Sequence, residues 1–263
     1  MGLFNKKKKP ETPHDNKGGF VSFILLNEIS IDLDLLAKNL EEDWGITVSG
    51  KDIDGEKGSI VTELDGMTVA VSLMPGPIPN GEAISNAKTN WRWPEAVSIA
   101  EAHKAHILVA VLRGEQQLLN AAVLYVKLCA SCLRQPNAAA INTLGSVLAP
   151  DFYRESAKAF IENDDFPILN LVFFGLYSND NGETCCGYTY GMDVFGKKNI
   201  EIVNSSHKAE EIHIFMMDIA SYVIEGDVTL QDGETIGFSA EQKLTITESA
   251  GLAIDESTLK IGF

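Results

Sequence analysis

The residues best equipped for chemistry fall in a few places. Cys129 and Cys132 form a C-x-x-C, Cys185 and Cys186 are adjacent, and His103 and His106 stand three apart with Glu101 close by. A redox C-x-x-C usually opens a helix, whose positive end lowers the thiol pKa. Here the pair lies deep inside "LLNAAVLYVKLCASCL", near the end of an apolar helix, so both thiols read as small core residues. Cys185 and Cys186 on a strand point to opposite faces and do not line one site. A four-cysteine zinc site would lack a two-residue knuckle at that second pair. His103 and His106 depart from the i, i+4 spacing of a zinc-binding H-E-x-x-H helix. Helix-end histidines, favoured by the dipole and by backbone hydrogen bonds, account for them. His207 and His213, six apart, fall on different faces of a later helix. No metal and no cofactor is expected, because nucleophile-elbow, phosphate-loop and dinucleotide-binding patterns are missing from the sequence.

The stretch "TCCGYTYGMDVFGKKNIEI" (184–202) holds the remaining candidates. Tyr188 and Tyr190 alternate onto one face of a strand, and Lys197 and Glu201 flank the start of the next. Together with His103 and His106 they are the polar residues with which a small ligand would be bound. No residue is assigned a catalytic role. Gly187, Gly191 and Gly196 are expected to shape the backbone, as glycines in strands mark bulges and close approaches, while Met192 and Phe195 pack.

The elements that must position these groups follow from the apolar pattern. "FVSFILLNE" reads as a buried strand, and "SIDLDLLAKNLEEDWG" as a helix capped by Ser30 and ended by Gly45. "ITVSGKD" alternates like a short strand. "GSIVTELDGMTVAVSLM" is a hairpin, with Asp65-Gly66 as a type I′ turn. A proline-rich rim, "PGPIPNGE", precedes two helical pieces broken near Pro94, where Trp91 and Trp93 flank Arg92. "HILVAVLRG" is a strand, "AAAINTLGSVL" a strand leading to a loop, and "APDFYRESAKAFIEND" a helix begun by Pro150. The later sequence reads as a meander turning at 179–182, a helix capped by Ser205 or Ser206 and closed by Gly226, and three short strands. The fold class is α+β: mixed or antiparallel sheets with helices packed on one face, in two sheet-plus-helix halves. The expected divisions are a flexible basic tail at 1–18, an N-terminal half at 19–150 and a C-terminal domain at 151–263.

The net charge of −16 over 263 residues disfavours nucleic acid, because an acidic body repels phosphate backbones. Apolar runs such as "ILNLVFFGLY" fall well short of the roughly 20 residues of a membrane helix. Without an apolar stretch before Phe20 no secretory leader is expected, and four cysteines without disulfide-like spacing suit a reduced, cytoplasmic setting. Lys6–Lys9 allow weak peripheral contact with an anionic surface, at about 1 kcal/mol per lysine, and no stable insertion.

"YTYGMDVFGKKNIEI", "DGETIG" and "LKIGF" together resemble the C-terminal domain of the bacterial domain-of-unknown-function family DUF4261. Tyr190, Gly191, Met192, Phe195, Gly196, Lys197 and Glu201 match its pattern. Where that pattern often has an acid after the lysine, this chain has Lys198 and Asn199. "MPGPIP", the tryptophan segment and "HKAHILVAV" are also similar, so the resemblance covers most of the chain after the tail. It implies no established activity, and a setting among secretion, toxin or immunity genes. The sequence thus points to an acidic cytoplasmic protein-interaction module, an immunity or secretion-system accessory with a protein partner, rather than an enzyme. The alternative is a small-ligand binder or enzyme with a cleft between the halves.

Overall fold

Alternation along the first strand organises the molecule. Phe20, Ile24 and Leu26 point into the main core, whereas Phe23 and Leu25 point to the opposite face. The structure, a computed structural model, describes residues 19–113, 118–180, 182–239 and 242–263. Lys6–Lys9 and Asn181 lie outside the described residues.

The first sheet contains β1 (Gly19–Leu26), β2 (Ile53–Asp54), β3 (Ser59–Leu64), β4 (Met67–Met74), β5 (Ala105–Leu112), β6 (Ala138–Thr143) and β7 (Ser146–Leu148). Their spatial order is β2-β3-β4-β5-β1-β6-β7, every neighbouring pair antiparallel. The second sheet contains β8 (Phe173–Tyr177), β9 (Cys185–Tyr190), β10 (Ile200–Ser205), β11 (Thr235–Ile236), β12 (Leu244–Ala250) and β13 (Ser257–Ile261). Its order is β11-β12-β13-β10-β9-β8, and β10 with β13 is the parallel pair. The helices are α1 (Leu33–Trp44), α2 (Glu82–Ala87), α3 (Ala96–Ala102), α4 (Leu118–Cys132), α5 (Pro150–Glu162), α6 (Ile168–Leu171) and α7 (Ala209–Glu225). The class is α+β.

One hydrophobic core runs from Ile24 and Ile107 of the first sheet, through α4 and α7, to Ile202 and Leu259 of the second. Cys129 and Cys132 lie within it, and burial lifts the Cys129 thiol to about 12. A smaller cluster joins Leu25, Ala140 and Val147 to Ala83, Ala87, Ala96 and Ala100, so α2 and α3 cover one end of the first sheet's other face. The boundary drawn at 150 falls at the first residue of α5, and that helix packs on α4.

Local signals explain the ends. Asp65 and Gly66 both take positive φ between Leu64 and Met67, the type I′ geometry their sequence predicts. Gly45 ends α1 in the left-handed region. Asp32, not Ser30, caps that helix, its Oδ1 accepting from the Leu35 N–H at 2.9 Å. Lys208 rather than a serine precedes α7, where Glu211 accepts from its N–H at 2.9 Å. "ITVSGKD" forms no strand over 46–49, because the Ile46 N–H closes the end of α1 on Leu40 O at 3.1 Å. "AAAINTLGSVL" forms a hairpin rather than a strand and loop, turning at Leu144-Gly145.

Glu201 ties the second sheet to its last loop. It is fully buried on β10, opposite Tyr188 and beside Lys260. Its carboxylate accepts from the N–H groups of Leu252 and Ala253, both at 2.9 Å, and pairs with Lys260 Nζ at 3.1 Å. Lys260 also donates to Ala250 O at 2.7 Å and Thr258 Oγ1 at 2.6 Å. A buried charge needs such partners to offset its lost hydration.

Glu201→Gln leaves Lys260 uncompensated and is expected to cost about 3 kcal/mol in urea denaturation. Adding Lys260→Met should recover part of that loss; a cost under about 1 kcal/mol would show the clamp contributes little. On β8, Gly175 lies under the Tyr188 ring, which a methyl group there would overlap. Gly175→Ala should destabilise by about 1–3 kcal/mol, and less in a Tyr188→Ala background; equal costs in both backgrounds would refute this contact.

Candidate functional site

Strand β7 ends the first sheet and β8 ends the second, so each leaves an edge without a neighbouring strand among the described residues. A strap formed by residues 88–93 covers both edges with side-chain donors. Thr89 Oγ1 donates to Gly145 O at 3.0 Å and Asn90 Nδ2 to Val147 O at 2.7 Å. Trp91 Nε1 reaches Phe174 O, on the other sheet, at 3.4 Å.

Beneath the strap is a cleft of about 200 Å³. The strap supplies Asn90, Trp91, Arg92 and Trp93. The first half supplies Leu144 and Leu148, and α5 adds Phe152 just past its cap, Ala149. The second sheet and its approach supply Leu169, Val172, Phe173 and Phe174, and α7 supplies His213. Among the described residues no acidic side chain lines it.

The wall at Leu144 is held in an unusual backbone state. Leu144 has φ 52° and Gly145 φ 64°. A leucine in the left-handed region costs about 1–2 kcal/mol and persists only where its surroundings impose it. Those surroundings come from β9. A Cβ on Gly145 would lie 2.9 Å from Cε1 of Tyr190, and one on Gly191 would lie 3.2 Å from Leu144 Cδ2. Only residues without side chains let the two turns approach so closely.

Two groups in the cleft carry or can carry positive charge. The Arg92 guanidinium lies over the Trp91 ring, 4.7 Å from its centroid, and the Arg92 N–H donates to Asn90 Oδ1 at 3.0 Å. Partial burial lowers the Arg92 pKa, yet guanidinium stays charged in proteins. His213 packs against Phe174, with ring centroids 5.4 Å apart. Burial first, and the Arg92 charge second, depress its pKa to about 4, so the imidazole is neutral at pH 7.

The residues singled out in the sequence lie elsewhere or one step behind. Tyr188, Tyr190 and Glu201 share the face of the second sheet that points away from α7, since Tyr188 pairs directly with Glu201. Tyr190 supports the cleft from behind, through Gly145. Lys197 is nearly buried and bound to Asp227 Oδ1 at 2.6 Å, holding that carboxyl below its usual range. His103 and His106 sit on the first sheet's outer side. His103 Nδ1 donates to Ala100 O at 2.5 Å while Nε2 accepts from the Ile78 N–H at 2.8 Å. His106 Nδ1 donates to Gly76 O at 2.8 Å, and burial lowers its pKa. Both histidines therefore anchor the proline-rich rim. Gly187 faces α7 at Ile212 and Met216, and Met192 and Phe195 are buried.

"GMDVFGKK" is one residue short of a phosphate-loop pattern, since Lys198 stands where serine or threonine is required. Its turn leads into strand β10 rather than a helix, and the N–H groups of Gly196 and Lys197 are already bonded to Asp193 O and Met192 O. The cleft residues themselves gave weaker signals. The Trp-Arg-Trp triplet was visible, but its partner His213 is more than a hundred residues away, and nothing marks Leu144 as a turn former.

Apart from the His213 imidazole, the lining among the described residues offers no carboxylate, thiol or hydroxyl, and its groups are suited to holding an apolar body beside a fixed positive charge. Residues 188–262 match the family described as "Domain of unknown function (DUF4261)". No curated protein and no solved structure matches the chain. The matched segment takes in the second half of β9, then β10 to β13 and α7, so this part of the chain is similar to the DUF4261 domain.

Proposed function

We propose that the protein is a binding module of the cytoplasm and that its ligand site is the cleft between the two sheets. The observation that carries this reading is an apolar concavity of about 200 Å³ walled by both halves, with Trp91 and Trp93 at the strap. Tryptophan offers a large rigid apolar face together with one donor, which suits reversible contact. All four cysteines are free, in keeping with a reducing compartment. No helix among the described residues is long and apolar enough to cross a membrane.

A protein partner is the second reading, and it rests on a different surface. Val61, Ala70, Ala110 and Val21 form a row across β3, β4, β5 and β1 on the outer face of the first sheet. Val21 and Val61 are 49% and 57% exposed. An antiparallel sheet normally shows polar side chains on its wet face, so an apolar row there suits contact with another protein. A net charge of −16 would steer a basic partner towards it.

For the cleft, Ala149→Phe fills the space from the cap of α5. Saturable binding of a small aromatic probe such as indole, followed by amide shifts of Phe173, Phe174 and His213, should weaken about tenfold or more in that variant. Undiminished binding would place the site elsewhere. For the sheet face, a complex recovered from the native host should be lost on Val21→Glu with Val61→Glu, and its survival would remove that surface from consideration.

A further inference from the structure

The chain carries 37 acidic side chains against 21 basic ones, yet the charged and titratable residues of the cleft are Arg92 and His213. Arg92 stacks on Trp91, which engages one face of the guanidinium. Among the described residues its N–H donors have no ion-pair or side-chain hydrogen-bond acceptor. His213, as a neutral imidazole, keeps one further N–H donor in the same cleft.

These groups decide between ligand classes. A cation would meet Arg92 with nothing to offset the repulsion. A neutral hydrocarbon would take water from the guanidinium and give it no acceptor, which is costly. A carboxylate replaces that water with charge-assisted bonds that fit the planar edge of arginine. Size sets the rest: about 200 Å³ is below the roughly 300–1,000 Å³ of sites for drug-sized ligands, so one ring or branched chain fills it.

We infer that the cleft takes a small carboxylate joined to an apolar or aromatic body, with the carboxylate on Arg92 and the body against Trp93, Phe152 and Phe173. This rests on the cleft being the binding site.

The test uses 3-phenylpropionate and its uncharged amide, followed through indole N–H signals in ¹H–¹⁵N spectra of the whole chain. The chain has three tryptophans, and Trp44, whose Nε1 donates to Ser131 Oγ at 3.1 Å away from the cleft, is the internal reference. The acid should shift the Trp91 and Trp93 signals saturably, leave Trp44 in place, and bind about tenfold more tightly than the amide. Arg92→Gln should bring the acid down to the level of the amide, and Arg92→Lys should retain part of the preference. Arg92 lies at the exposed strap, so an unchanged amide spectrum establishes that these variants are folded. If acid and amide titrate alike, or if Arg92→Gln keeps the preference, the carboxylate assignment is wrong while the cleft stands. If neither probe moves Trp91 or Trp93, the cleft itself is not the site and the inference falls with it.

Discussion

Phe195 fastens the two sheets together, and the rest of the architecture depends on that contact. Its ring centroid lies 5.8 Å from Phe20 on β1 and 5.9 Å from Phe166, and Phe20 stacks in turn on Tyr125 of α4 at 5.4 Å. Gly191 and Gly196, at φ 101° and 69°, bracket the short turn that carries Met192 and Phe195 inward. Other residues would be strained at both corners. With the sheets joined there, the strap reaches both β7, through Asn90, and β8, through Trp91. The cleft is what remains between the two edges once the aromatic side chains behind them have packed.

Much of this frame was legible in the sequence. Asp65-Gly66, Gly45 and Pro150 act locally, through φ preferences that hold wherever they occur, so the elements they bound appear where the pattern places them. The errors have a common cause. Ile46 and Val48 alternate like a strand, but the Ile46 N–H is taken up by the end of α1 and residues 46–49 join no ladder. Leu144 turns the chain in a left-handed conformation where Gly191 packs against its side chain and Tyr190 against Gly145, both distant in sequence. No local propensity announces a turn imposed by tertiary contact. The site shares this difficulty, since Arg92 and His213 meet only after both sheets have packed.

The polar residues that drew attention in the sequence are mostly engaged internally. His103 and His106 hold the backbone of the proline-rich rim, Lys197 is bound to Asp227, and Glu201 serves the loop that returns to β13. Burial explains this, because a polar group removed from water must find a partner inside the fold. A residue type suited to catalysis is therefore weak evidence for it until its hydrogen bonds are accounted for. Arg92 is the contrary case: a charged group beside apolar walls, without a protein acceptor among the described residues. What distinguishes it is incomplete pairing, a property that sequence alone does not carry.

The family match and the cleft divide the chain differently. Residues 188–262 supply His213 alone among the cleft's lining, together with Tyr190 and Gly191, which buttress it from behind. Trp91, Arg92 and Trp93 come from the strap, Leu144 from the β6–β7 turn and Phe152 from α5, all before the matched segment. The matched domain thus provides a platform: a sheet, the helix that covers it, and the glycine-bracketed turn that docks onto a neighbouring layer. The chemistry of the cleft is set by the segments that this platform receives. The strap is fixed by three side-chain donors, Thr89, Asn90 and Trp91, so Arg92 can vary without disturbing either sheet.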